Sequence, residues 1–141
     1  MRFTGNWKLH TGNRFLIYGI GTDLLRISRG EQLWQRFGDK AADKLLHPLE
    51  RAQFDASPRR GHFLARAFAA KEAFVKALGT GFRGVGFSDV GVTREPDCRP
   101  QFVFSAGLQV RLDAMGIRAA HLSLSDDGDF VFAFAVLETG G

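Results

Sequence analysis

Cysteine occurs once in the 141 residues, at Cys98. That excludes an internal disulfide framework and a zinc site built on paired cysteines, and it favours a reducing compartment. No run of about 18 apolar residues is present, and no charged-then-apolar signal pattern opens the sequence. The expectation is a soluble, cytoplasmic protein with no membrane partner. A P-loop is excluded, because Gly-x-x-x-x-Gly-Lys-Ser/Thr is absent. Internal repeats and low-complexity tracts are missing as well. The net charge is +4, yet the cations form no polybasic run, and Phe and Arg are not arranged as a stacking platform. Nucleic acid is therefore not the expected partner; an acidic protein or a phosphorylated ligand is.

What is present is apolar bulk. The chain is 45% hydrophobic with 14 phenylalanines, enough to fill a core without covalent staples. Residues 1–14 have no clear period and read as a flexible N-terminal arm; residues 15–141 read as one domain. Phe15 to Leu25 is a buried strand by composition, with Gly19 and Gly21 on the face of Asp23. Those glycines clear space where the carboxylate points. A lone acid there needs a cation, hydrogen bonds or water, unless it caps the next helix. Ser28, with Glu31 at the capping-box position, is the expected N-cap of a helix whose apolar face is Leu33, Trp34 and Phe37. Arg26, Arg29, Arg36, Lys40 and Lys44 crowd that region with positive charge, as a solvated face or a receiver of an acidic partner. A short helix over His47 to Phe54, with Pro48 near its first turn, and a turn at Ser57 to Gly61 lead to a long helix over His62 to Leu78. Strands are expected at Phe87–Arg94, Gln101–Ser105, Ala120–Asp126 and Phe130–Leu137, with a helix around Leu108–Met115. The order predicts an α+β domain, a mostly antiparallel sheet packed around a long central helix.

The long helix holds the chemistry. In Phe68-Ala-Ala-Lys-Glu-Ala-Phe-Val-Lys-Ala-Leu-Gly-Thr-Gly81, the residues Ala65, Ala69, Glu72 and Lys76 share one stripe. Glu72 and Lys76 are one turn apart, the spacing of an ordinary surface pair. The flanking alanines leave room for something bulky against the helix, and Gly79 and Gly81 close it. On the Ala120–Asp126 strand, His121 shares a face with Ser123 and Ser125.

Together, Gly19-Ile-Gly-Thr-Asp23 with Arg29, Phe63-Leu-Ala through Gly81, and His121-Leu-Ser-Leu-Ser125 resemble the holo-acyl-carrier-protein synthase family, small trimeric 4′-phosphopantetheinyl transferases. The likeness runs from about Ile17 to Leu137. It implies the phosphopantetheinyl transferase fold and transfer of 4′-phosphopantetheine from coenzyme A to a serine of apo-acyl carrier protein. Adenosine 3′,5′-bisphosphate would be released, in the service of fatty acid or polyketide synthesis. It further implies Asp23 and Glu72 as Mg²⁺ ligands, catalytic together with Lys76. Lys76, Gly79, Gly81, His121 and Ser123 would bind coenzyme A, and Arg26, Arg29 and Arg36 would meet the carrier protein. A homotrimer is implied, with Asp23 and Glu72 from one chain and His121 from its neighbour. Two positions depart from the family pattern. Arg26 stands where an acid is frequent, and Ala67 where an arginine is usual, with Arg66 one place earlier. One helical position is about 100° of rotation, so Arg66 is not expected to replace a contact made from 67. The competing class is a non-catalytic module whose basic face binds an acidic protein.

Overall fold

Small residues at one period and apolar ones at another decide how this chain packs. The computed structural model describes residues 16–140; the arm expected over residues 1–14 lies outside them. Strand β1, Leu16–Arg26, alternates from Gly19 onward: Gly19, Gly21, Asp23 and Leu25 face inward, while Ile20, Thr22 and Leu24 face out. It pairs antiparallel with β5, Phe130–Thr139, which pairs antiparallel with β4, Ile117–Asp127. The sheet order is β1-β5-β4, and a second, two-stranded sheet joins β2, Val90–Thr93, to β3, Gln101–Phe104.

Five helices complete the fold among the described residues: α1 Ile27–Phe37, α2 Asp39–Leu45, α3 Pro48–Asp55, α4 Arg60–Leu78 and α5 Ala106–Ala114. Helix α4 lies on the inner face of the β1-β5-β4 sheet, and its buried Ala69, Ala73, Ala77, Phe74 and Leu78 join Val131, Ala133 and Leu137 in the main core. The Phe74 ring meets Phe102 and Phe104 of β3 at 5.3 and 5.1 Å between centroids, locking α4 to the small sheet. A second cluster gathers Phe54, Leu64, Ala67 and Leu46 under Trp34 and Phe63.

Gly19 and Gly21 do clear space, but α4 itself takes it. A Cβ at Gly21 would collide with the Ala73 carbonyl oxygen, and one at Gly19 with that of Ala77. Gly30 of α1 likewise abuts the Gly61 carbonyl and Ala65. Ala73 and Ala77 therefore seat β1, and Gly61 and Ala65 seat α1.

Other local expectations shift for identifiable reasons. Ser28 is not an N-cap: α1 begins at Ile27 after Arg26, with no side-chain cap. The Ile27 amide instead donates to the Asp129 carbonyl at 2.8 Å, so the β4–β5 hairpin caps the helix. Gly38, at φ 55°, ends α1 and separates it from α2. Phe87–Asp89 forms a 3₁₀ turn rather than the start of a strand, and Asp89 accepts from the Gly86 amide at 2.8 Å. Among the described residues no helix is long and apolar enough to cross a membrane.

Candidate functional site

Strand alternation and helix rotation bring two carboxylates together. Asp23 sits on the inner face of β1 and is largely buried; Glu72 comes from the α4 surface beside it and is partly exposed. Lys76, one turn further on, places Nζ 3.4 Å from Asp23 Oδ1 and donates to the Thr22 carbonyl at 2.9 Å. The other Asp23 oxygen, Oδ2, is buried with no hydrogen-bond partner. Burial first, and the Asp23 negative charge second, push the Glu72 carboxyl above the ordinary glutamate range; Lys76 and Arg29 pull the other way. Arg29 of α1 thus belongs to the same electrostatic site.

Two neighbouring carboxylates, one with an orphaned buried oxygen and the other made reluctant to ionise by burial and then by its neighbour, suit a hard divalent cation. No group of three or more His, Cys, Asp or Glu side chains gathers among the described residues. A cation at this place would have the Asp23–Glu72 pair as its donors from this chain, with phosphate oxygens and water for the remaining ligands. The residues fit Mg²⁺ of the kind that is shared with a substrate phosphate.

Gly79 ends α4 as a left-handed cap at φ 83°, its amide donating to the Val75 and Lys76 carbonyls. Gly81 follows at φ 58°, and nothing lies within 4 Å of where a Cβ at either would stand. The glycines shape the exit from α4, and space beside them is open.

The sheet separates the other predicted residues from this pair. His121 lies opposite Val136, which lies opposite Ile20; Ser123 lies opposite Phe134 and then Thr22. Both therefore sit on the outer face, whereas Asp23 points inward. Within one chain the Asp23–Glu72 pair and the His121–Ser123 pair do not meet. His121 is exposed, hydrogen-bonded through Nε2 to Glu138 Oε2 at 2.7 Å, and borders a cavity of about 650 Å³ with Arg99 and Cys98. Arg99 and Glu138 carry no sequence signal of their own; their relation to His121 depends on strand register and on the loop entering β3.

On α1, Arg29 and Arg36 border a groove of about 280 Å³ whose apolar wall includes Leu25, Leu33, Phe37 and Phe68. Arg26 stacks over the Phe130 ring at 4.8 Å and is held at the edge of that face. Arg66 and Ala67 both border a cavity of about 200 Å³. Arg66 Nε also lies 3.7 Å from Asp126, which accepts from or pairs with His62 at 2.6 Å.

One charged pair escaped sequence reasoning entirely. Lys71 and Glu50 are both fully buried, with Nζ 2.6 Å from Oε1. Burial pushes the Lys71 ammonium below the ordinary lysine range, and Glu50 offsets part of that.

Comparison with known proteins gives these positions a context. Residues 19–135 match the family model for the 4′-phosphopantetheinyl transferase superfamily. A holo-[acyl-carrier-protein] synthase of Thiobacillus denitrificans is 46% identical over 124 residues, covering 87% of this chain and 95% of that one. The crystal structure of the Neisseria meningitidis holo-[acyl-carrier-protein] synthase superposes with TM-score 0.83 at 41% identity, over 88% of this chain and 100% of that chain. A holo-(acyl-carrier-protein) synthase from Bacillus anthracis, solved in complex with CoA (3′,5′-ADP), superposes with TM-score 0.70 at 32% identity, over 87% and 97%.

Proposed function

Because the chain belongs to the holo-[acyl-carrier-protein] synthase family of 4′-phosphopantetheinyl transferases, we propose that it moves 4′-phosphopantetheine from coenzyme A to a serine of apo-acyl carrier protein in an Mg²⁺-dependent reaction. Asp23 and Glu72 hold the metal, and the observation that carries this reading is the buried, unpartnered Asp23 Oδ2 beside a Glu72 whose acidity burial and then Asp23 weaken. Bound Mg²⁺ would act as a Lewis acid on the diphosphate of coenzyme A. The serine oxygen forms a bond to the phosphorus carrying the pantetheine arm, and the bond from that phosphorus to the bridging oxygen breaks. Adenosine 3′,5′-bisphosphate leaves with the bonding pair. Glu72 accepts the serine proton directly or through water. Lys76, half-exposed and already beside Asp23, neutralises charge gathering on the diphosphate.

The remaining family features follow as part of the same proposal. Gly79 and Gly81 leave open space for the coenzyme beside the end of α4. His121 and Ser123 bind coenzyme A from a neighbouring chain, which their place on the opposite sheet face supports. The exposed Ile20, Leu24, Phe132 and Phe134 give that face the apolar character of a subunit contact, consistent with a homotrimer. Arg26, Arg29 and Arg36 receive the acidic carrier protein. The setting is cytoplasmic fatty acid or polyketide synthesis, carried out by one domain over residues 15–141.

The test is release of adenosine 3′,5′-bisphosphate, followed by chromatography. It should appear one for one with coenzyme A consumed, and only when apo-carrier protein and Mg²⁺ are both present. Release without carrier protein, or none with several carrier proteins, would contradict the proposal. Read against pH at Mg²⁺ well below saturation, where protons and the cation compete for Glu72, the same assay should show an acidic limb above the ordinary glutamate range. The Glu72 carboxyl is raised, so as pH falls it takes up a proton earlier than a free glutamate does and loses its hold on the cation. An acidic limb at the ordinary glutamate value would contradict the Glu72 assignment.

A further inference from the structure

The side of α4 facing β1 is alanine laid on glycine, with Ala73 and Ala77 over Gly21 and Gly19. Such a contact allows close backbone approach but offers few side-chain knobs to resist rotation of the helix about its axis. Phe74 grips the small sheet; Lys76 and His62 also tie α4 to β1 and β4, but from partly exposed positions, whereas the tie made by Lys71 is fully buried. Its Nζ donates to Glu50 Oε1 of α3 at 2.6 Å and to the Val90 carbonyl that opens β2. Glu50 Oε1 also accepts from the His47 amide at 3.0 Å, which anchors the carboxylate to the first turn of α3. One buried ammonium therefore joins α3, α4 and β2 in fixed directions.

Stability alone does not account for it. A buried ion pair is commonly replaceable by apolar side chains with no loss of stability, because desolvation cancels the attraction. The pair also leaves Glu50 Oε2 buried without a partner, a cost that an apolar pair would not carry. What the charges provide and apolar groups do not is direction. Lys71 directly precedes Glu72, about 100° away around the helix. With Lys71 fastened toward α3, Glu72 is turned toward Asp23 and Arg29.

We propose that Lys71, held by Glu50, is a positioning residue that sets the rotation of α4 and so aims the Glu72 carboxylate at Asp23. The inference rests on the transferase reading of Asp23 and Glu72 and adds residues that touch neither substrate nor cation.

The test is a double variant, Lys71→Met with Glu50→Gln, which leaves no buried charge and keeps an acceptor for the His47 amide. Its thermal midpoint should stay within about 4 °C of wild type. Mn²⁺ binding to the coenzyme-free protein, followed by electron paramagnetic resonance, should weaken about tenfold or more. The kcat should fall by a similar factor while KM for coenzyme A changes less than about twofold. Should the double variant not fold, Glu50→Gln alone carries the test. It keeps the hydrogen bonds but removes the charge, and should weaken Mn²⁺ binding by about threefold. Wild-type Mn²⁺ affinity and kcat in the variant that folds would overturn the positioning role while leaving the transferase reading intact. A wild-type protein that neither binds Mn²⁺ nor transfers the group would overturn both together.

Discussion

Glu72→Gln should lower the transfer rate at least about a thousandfold while leaving the fold intact and somewhat more heat-resistant. The amide has nearly the shape of the carboxylate, so packing along α4 is preserved. It carries no negative charge, so the Asp23–Glu72 pair loses half of its attraction for a divalent cation and its proton acceptor together. Loss of one electrostatic element of this kind costs about 4 kcal/mol in the transition state, which corresponds to about three powers of ten in rate. The stability change has the opposite sign. The folded-state carboxyl is raised above its unfolded value, so the folded state binds more protons than the unfolded chain between those two values. Stability falls as pH rises through that window, and above it the cost of holding the charged form is fully present. At neutral pH the substitution removes that cost. Partial exposure keeps the gain small, at most about 1 kcal/mol, or roughly 2–4 °C in a domain of this size. Thermal denaturation in chelator, run beside the transfer assay, reads both effects. A variant that loses activity and melts much earlier than wild type would place Glu72 in the structural framework instead.

The second large effect is on folding. Gly21→Ala should destabilise the protein by about 3 kcal/mol or more, a fall of roughly 6–12 °C in thermal midpoint. The added methyl would meet the Ala73 carbonyl oxygen and would stand 2.6 Å from the Ala77 amide nitrogen, both main-chain atoms with no side-chain rotation available to relieve the contact. Either β1 lifts from α4 or α4 slides, and Asp23 parts from Lys76 in both cases. Activity should therefore drop along with stability. Gly79→Ala is the informative contrast: its Cβ would stand in open space, and only the left-handed φ of 83° opposes it, at about 1 kcal/mol. Equal midpoints for Gly21→Ala and wild type, measured by denaturation, would mean that β1 and α4 are not in backbone contact.

The elements that could be read from sequence were those with a local signature. β1 showed as an apolar run broken by glycines, α4 as a long run stopped by Gly79, and the β4–β5 hairpin as Asp127-Gly-Asp between two alternating stretches. The Asp23–Glu72 pair emerged from resemblance, and their electrostatic coupling in the folded chain is independent of it. Features set by distant partners did not show. Nothing near Ser28 reveals that the Asp129 carbonyl, a hundred residues on, caps α1 in its place. Lys71 reads as one more lysine beside an acid, because its partner Glu50 lies on another helix with no shared period. The opposition of His121 and Asp23 follows from alternation only once the order β1-β5-β4 is known. Gly19 and Gly21 read as clearing space on the Asp23 face, and it is the backbone of α4 that fills that space.

The measurement that tests the central claim most directly is the intact mass of an apo-acyl carrier protein after incubation with this protein, coenzyme A and Mg²⁺. The account predicts a gain of about 340 Da, the phosphopantetheine group, lost when a chelator removes the metal or when Glu72→Gln replaces the wild type. A gain that persists in chelator, or with Glu72→Gln, would contradict the assignment of the Asp23–Glu72 pair as the catalytic metal site.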